Sequence, residues 1–186
     1  RLLQVPGIGA ADVQEDDNAA LRLASQNGHD AVVRRLLQVP PYHANDVRAQ
    51  DNYAHRRAEA LIDASASGHV AEVDRLLQGA FIDVHADNNA ALRLALRFAS
   101  QYGHVAVVDR LLQVPGIGAA DVQEDDNFAL RLASQNGHVA VVHRLVQVPG
   151  IGADDVRAQD NYALKWAMRN GHSAVVALLR QVLIFG

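Results

Sequence analysis

The chain has 186 residues, 49% apolar and 20% charged, a balance that suits a folded protein and excludes intrinsic disorder. Against 17 Lys and Arg stand 21 Asp and Glu, and the net charge of −4 gives no electrostatic footprint for nucleic acid or an anionic membrane. Cysteine is absent, which excludes disulfide scaffolds, Cys-ligated zinc and thiol catalysis, and no apolar run is long enough to span a bilayer.

Repetition organises everything else. Gly-His recurs at Gly28-His29, Gly68-His69, Gly103-His104, Gly137-His138 and Gly171-His172, in steps of 40, 35, 34 and 34 residues. Asn18, Asn52, Asn88, Asn127 and Asn161 keep a similar pace, as do Arg1, Arg35, Arg75, Arg110 and Arg144. Residues 1–40 also match residues 110–149 at all but four positions, Ala19/Phe128, Asp30/Val139, Arg34/His143 and Leu37/Val146. A block of three repeats has therefore been copied. The whole chain reads as one array: a partial repeat 1–17, then repeats at about 18–51, 52–87, 88–126, 127–160 and 161–186.

In chain order, the partial repeat ends in Pro6-Gly7-Ile8-Gly9 and the acidic Glu15-Asp16-Asp17. Repeat 52–87 carries six extra residues within Tyr53–Glu59, which lengthen its first helix or bulge from it, and places Glu72 where other copies have Val. Repeat 88–126 carries four extra residues near 90–97, enough for one added helical turn. Repeat 127–160 is the type. There Asn127 is expected to cap a short helix over Phe128–Asn136, with Ala129, Leu130 and Ala133 on one face. Gly137 ends that helix, a second runs from His138 to about Gln147, and Pro149-Gly150-Ile151-Gly152 opens a finger expected to be a loop or hairpin. In repeat 161–186 Arg180 replaces an apolar residue, as an outward-facing cap requires, and Val182–Phe185 either folds over as a cap or marks a shortened chain. Helices this short do not persist alone in water, so each unit must bury its stripe against a neighbour.

The string Asp160-Asn161-Tyr162-Ala163-Leu164, followed by Asn170-Gly171-His172, Val175-Val176 and Leu179, resembles the ankyrin repeat. The variant it is most similar to is common in giant viruses and in bacteria that live in amoebae. The usual Thr-Pro-Leu-His opening is degenerate, with Leu kept at Leu21, Leu130 and Leu164 and His replaced by Arg22, Arg131 and Lys165. The resemblance implies an all-α helical repeat solenoid with loop or hairpin fingers, acting as a protein-interaction module.

Catalytic and metal readings are weak. The Gly-His histidines fall once per repeat, and packed helices lie about 8–10 Å apart while zinc holds nitrogen at about 2.0–2.1 Å. They are read as bonding local backbone at the start of each second helix. Ser134 and His138 sit four apart, but Gly137 breaks the helix between them and the pair recurs at Ser65/His69 and Ser100/His104, so it reads as framework. The Glu124-Asp125-Asp126 cluster lacks the alternating ligands of a calcium loop. Pro-Gly-Ile-Gly lacks the strand and third glycine of a nucleotide site. Tyr53, Tyr102, Phe128, Tyr162 and Trp166 look too scattered to form a stacking platform. No cofactor and no metal are expected.

The leading expectation is a monomeric, non-catalytic module that binds another protein through its concave face and fingers. By analogy with the family, the partner-facing positions are Arg22, Gln26 and Asn27; Arg97, Gln101 and Tyr102; Arg131, Gln135 and Asn136; and Lys165, Arg169 and Asn170, joined by finger residues Glu15, Arg48, Glu124 and Arg157. The rival expectation is the targeting arm of a larger enzyme, since Arg1 begins inside a repeat. The cytoplasm is the default location, and the resemblance also admits a host cell.

Overall fold

The computed structural model describes residue 32, residues 44–78 and residues 86–185. The chain divides into two compact units, residues 1–57 with 79–83 and residues 58–78 with 84–186. Of the described residues, 32 and 44–57 belong to the first unit, and 58–78 and 86–185 to the second. The expectations for the partial repeat and for Arg22, Gln26, Asn27 and Glu15 lie outside the described residues.

The helices are α1 (Ala44–Ala66), α2 (Val70–Leu77), α3 (Ala86–Tyr102), α4 (Val105–Leu112), α5 (Ala119–Val122), α6 (Glu124–Gln135), α7 (Val139–Val146), α8 (Ala153–Arg169) and α9 (Ser173–Phe185). No strand occurs among the described residues. The longer first helices α3, α6 and α8 pack side by side, and the second helices α2, α4, α7 and α9 form a parallel row behind them. Within each repeat the first helix packs on the second, α3 on α4, α6 on α7 and α8 on α9.

Sequence pattern explains the two rows. Second helices bury Val107, Val108 and Leu111 in α4, and Val141, Val142 and Leu145 in α7, the three-to-four spacing that puts side chains on one face. First helices contribute small residues where rows meet, Ala99, Ala133 and Ala167, beside the larger Leu96 and Leu130. Val73, Val108 and Val142 are buried, but the equivalent Val176 is only half-buried, because no further helix pair among the described residues stacks on α9. The six extra residues at 53–59 are absorbed in the continuous helix α1, and the four near 90–97 extend α3 by a turn. The Val182–Phe185 segment does not fold over. It continues α9, with Val182 and Leu183 partly buried and Ile184 and Phe185 exposed.

Three expectations are corrected. The fingers are helical, not hairpins: after Gly118 the chain forms the single turn α5, and after Gly152 it enters α8 directly. An aspartate starts each turn, Asp121 accepting the Gly118 N–H at 3.0 Å and Asp155 the Gly152 N–H at 2.7 Å. This satisfies a donor that the first helical turn leaves without an intrahelical partner. The same aspartates join successive fingers, since Asn89 donates to Asp121 at 2.9 Å and Gln123 to Asp155 at 2.9 Å.

Asn127 is not an N-cap. Asp125, Asp126 and Asn127 form a left-handed turn with φ of 49°, 56° and 62°, and Gln159, Asp160 and Asn161 repeat it at 50°, 57° and 57°. An N-cap takes extended dihedrals and accepts through its side chain, whereas Asn127 is left-handed, buried, and its Oδ1 has no partner. Left-handed backbone costs roughly 1–2 kcal/mol per non-glycine residue, least for Asn and Asp, whose short side chains tolerate it. At Asn127 and Asn161 the residue thus serves its backbone conformation, which Asn89 shares with φ of 65°. The turn redirects the chain from finger to first helix, and side-chain contacts from adjacent repeats hold it, including Gln159 Nε2 on Asp126 at 2.5 Å.

Three of the Gly-His histidines, His104, His138 and His172, bond across repeats instead of locally. His104 donates to the carbonyl of Ala66 at 2.9 Å, His138 to that of Gln101 at 2.9 Å and His172 to that of Gln135 at 3.0 Å. A carbonyl only accepts, so Nε2 carries the proton. Asn136 and Asn170 add second bonds to the same carbonyls of Gln101 and Gln135, at 2.9 and 2.8 Å. Behind them Arg110 pairs with Asp74 and Arg144 with Asp109, each from one second helix to the preceding one. These pairs are more than a quarter exposed on each side and so add little stability. The following repeat loses both partners together, His143 standing in the Asp position and Leu178 in the Arg position.

Candidate functional site

The first-helix row presents its outer face through side chains that the core does not use. On α3 these are Arg93, Arg97 and Tyr102; on α6, Phe128, Arg131 and Gln135; on α8, Tyr162, Lys165, Trp166 and Arg169. Of the aromatic residues that the sequence left scattered, Phe128, Tyr162 and Trp166 come together. Phe128 and Tyr162 are one repeat apart, Tyr162 and Trp166 one helical turn apart, and the stack brings all three onto this face. The Arg131 guanidinium lies between the rings of Phe128 and Tyr162, 5.1 Å from each centroid. The rings of Tyr162 and Trp166 are 5.6 Å apart, and Arg169 lies 4.7 Å above Trp166. At the other end Arg97 sits 3.8 Å over Phe128. Guanidinium groups settle on aromatic faces because the ring quadrupole is negative there.

Carboxylates in the left-handed turns, and Glu124 just before the first of them, line the finger edge of the same face. Glu124 pairs with Arg93 at 2.7 Å, Asp125 with Arg97 at 3.5 Å, and Asp160 with Lys165. Arg131 and Arg169 differ. Among the described residues neither has a carboxylate within 4 Å, and Arg131 instead donates to the backbone carbonyl of Asp125 at 2.8 Å. A cleft of about 210 Å³ opens between α3, α5 and α6, lined by Arg93, Leu94, Arg97, Glu124 and Phe128.

Of the positions read from sequence, Lys165, Arg169, Asn136, Asn170 and Tyr102 are exposed, and Arg97, Gln101, Arg131 and Gln135 are half-buried. Several have structural partners that sequence alone did not show. The side-chain amides of Asn136 and Asn170 tie repeats together, the Gln101 carbonyl receives two bonds, and Gln135 Oε1 accepts from Tyr162 at 2.9 Å. Tyr102, 51% exposed, stacks on Phe98 with centroids 6.4 Å apart. Among the finger residues, Glu124 is engaged by Arg93, and Arg157 pairs with Asp154 at 3.2 Å. Arg48 lies on α1.

The Ser-His pairs do not form. Ser134 and Ser100 are fully buried with no hydrogen-bond partner for Oγ, while Nε2 of His138 and of His104 is directed to a preceding repeat. No group of three or more His, Asp or Glu among the described residues is placed to hold a metal ion.

Arg131 carries a first consequence. Sequence alone makes it an exposed position whose truncation costs under about 0.5 kcal/mol. Half-buried between two rings and bonded to a carbonyl, it contributes both a cation–π term and a hydrogen bond. Arg131→Ala is expected to lower stability by about 1–2 kcal/mol. Lys165→Ala, at an exposed site, should stay within about 0.5 kcal/mol. Urea denaturation of the two variants separates them, and equal midpoints would refute the ring-clamped position of Arg131.

Helix pairs repeating every 34–35 residues, three of them hydrogen-bonded through histidine to the one before, define a stacked helical-repeat protein. A family model described as ankyrin repeats (three copies) matches residues 21–123 and again 96–183, and the chain belongs to the ankyrin repeat family. Ankyrin repeats are generally protein–protein interaction modules and generally non-catalytic. Among solved structures, the X-ray structure of an ankyrin repeat family protein from Legionella pneumophila is similar, with a TM-score of 0.57 and 23% identity. The similarity, one of fold, covers 89% of this chain and 52% of that one, so the chain spans about half the length of its neighbour. No curated protein matches the sequence. Among the described residues no helix is long and apolar enough to cross a membrane.

Proposed function

We propose that the chain is a non-catalytic module that holds a partner protein on its first-helix face, with the finger turns at the edge of the contact. The observation that carries this reading is the concentration of Tyr102, Arg131, Tyr162, Trp166 and Arg169 on that face. Tyr, Trp and Arg are the residues that dominate interface energetics, Tyr and Trp because they offer large area with few rotors to freeze and Arg because it offers directional, forked hydrogen bonds. Gln101, Gln135, Lys165 and the terminal amides of Asn136 and Asn170 surround them as the polar rim. Hydrogen bonds between repeats fix Asn136, Asn170, Tyr162 and Gln135 in advance, which lowers the ordering cost of association.

A photo-crosslinking amino acid at Gln135, on the first-helix face, and at Gln147, behind it, tests the assignment. In extracts of the source cells the Gln135 position should give a protein adduct identifiable by mass spectrometry, and the Gln147 position none. Adducts from Gln147 alone would place the contact on the second-helix row and overturn the reading. A second reading, the recognition arm of a longer protein, has one supporting fact, the greater length of the Legionella neighbour.

A further inference from the structure

We propose that the partner segment held on the first-helix face is acidic, a stretch of polypeptide whose carboxylates seat on Arg131 and Arg169. This rests on the protein-binding reading above and gives its partner a chemistry. The chain as a whole is acidic, with a net charge of −4. Yet the row Phe128, Arg131, Tyr162, Trp166 and Arg169 contains two cations and no anion. Every other cation named on this face is already matched: Arg93 by Glu124, Arg97 by Asp125 and Lys165 by Asp160. Arg131 and Arg169 have no such partner among the described residues, and their charge remains to be met from outside.

Ring contact makes both groups better receptors. A guanidinium lying on an aromatic face loses its rotamer freedom before binding, and a ring offers no lone pair to occupy its N–H edge. Arg131 spends one N–H on the Asp125 carbonyl, at 2.8 Å, and has others in reserve. A carboxylate accepts two parallel N–H groups from such a fork, which supplies direction as well as attraction. The exposed surface of Tyr162 and Trp166 between the two arginines suits the aliphatic stem of a Glu or a neighbouring apolar residue.

The same face argues against nucleic acid. Glu124, Asp125, Asp126 and Asp160 stand along its edge and would repel a continuous phosphate backbone, whereas a peptide can place isolated carboxylates away from them. Phe128, Tyr162 and Trp166 each already carry a guanidinium on a ring face, where a base would have to stack.

The test pans a phage-displayed random peptide library over the folded chain, then measures synthetic copies of the enriched peptides by fluorescence anisotropy. Peptides bearing two or more Asp or Glu should dominate, and their affinity should fall at high salt and fall roughly tenfold in Arg169→Gln. Arg131→Gln should do the same. Because Arg131 also supports the fold, Arg169→Gln, at an exposed position, keeps the test decisive if the first variant unfolds. Neutral or basic consensus peptides, no enriched peptide, or acidic peptides indifferent to Arg169→Gln would each overturn the proposal. So would an oligothymidylate that binds more tightly than the best acidic peptide. Failure here is distinguishable from failure of the broader reading. Neutral peptides that lose affinity in Tyr102→Ala would leave the first-helix face as an interaction surface and remove its acidic partner.

Discussion

Leu145→Ala is expected to lower stability by about 2–5 kcal/mol and to uncouple the C-terminal repeats before the rest. Leu145 is fully buried in α7, the second helix that packs on α4 before it and α9 after it. Truncation leaves a cavity between repeats that are each too small to relax independently. In an array whose stability is a sum of repeat terms and nearest-neighbour terms, weakening one interface lets the distal units open first. Trp166, the single tryptophan, lies on α8 and reports on that distal portion. In a urea titration its fluorescence midpoint should fall further than the far-ultraviolet circular dichroism midpoint, which averages over all helices. Midpoints that both stay at the wild-type value would show that Leu145 is not a core residue.

The row of second helices was legible because its signal is local: Val and Leu three apart after Gly-His, repeat after repeat. The added residues at 90–97 were legible as a helix extension for the same reason, since 3.6-residue periodicity tolerates an inserted turn, whereas at 53–59 the pattern left an extension and a bulge both open. The recurring Asn and His were visible as repeated letters but not as jobs. Asn127 has the residue type of a cap, and only its left-handed backbone reveals that the turn, not the side chain, is what the position requires. His138 looks local because its bonding partner, the Gln101 carbonyl, lies 37 residues earlier. The candidate face shows the same limit. Arg131 and Phe128 are neighbours in sequence, but Tyr162 joins them through the stack. A spacing of 34 between Phe128 and Tyr162 equals the repeat length, and that equality was the available clue.

The second large effect is expected at Gly137, and its size should depend on the following histidine. Gly137 has φ of +78°, so any Cβ there pays the left-handed penalty of roughly 1–2 kcal/mol. It also forms the floor on which the ring of His172 lies, and an added Cβ would stand 2.5 Å from Nδ1 of that ring. The ring cannot simply move away, because Nε2 is held by the Gln135 carbonyl at 3.0 Å. Gly137→Ala should therefore cost about 3 kcal/mol or more, combining the backbone penalty with a lost or distorted hydrogen bond. Gly171 provides the internal control. Its φ is also +78°, but a Cβ there meets nothing within 4 Å, so Gly171→Ala should show the backbone penalty alone. A double-mutant cycle isolates the rest. In a His172→Ala background the cost of Gly137→Ala should shrink toward that of Gly171→Ala, since the ring that collides with the methyl group is gone. Equal costs for Gly137→Ala with and without His172 would mean that the two residues do not press on each other. The recurrence of the glycine would then be a matter of helix termination alone, with no part in seating the histidine of the next repeat.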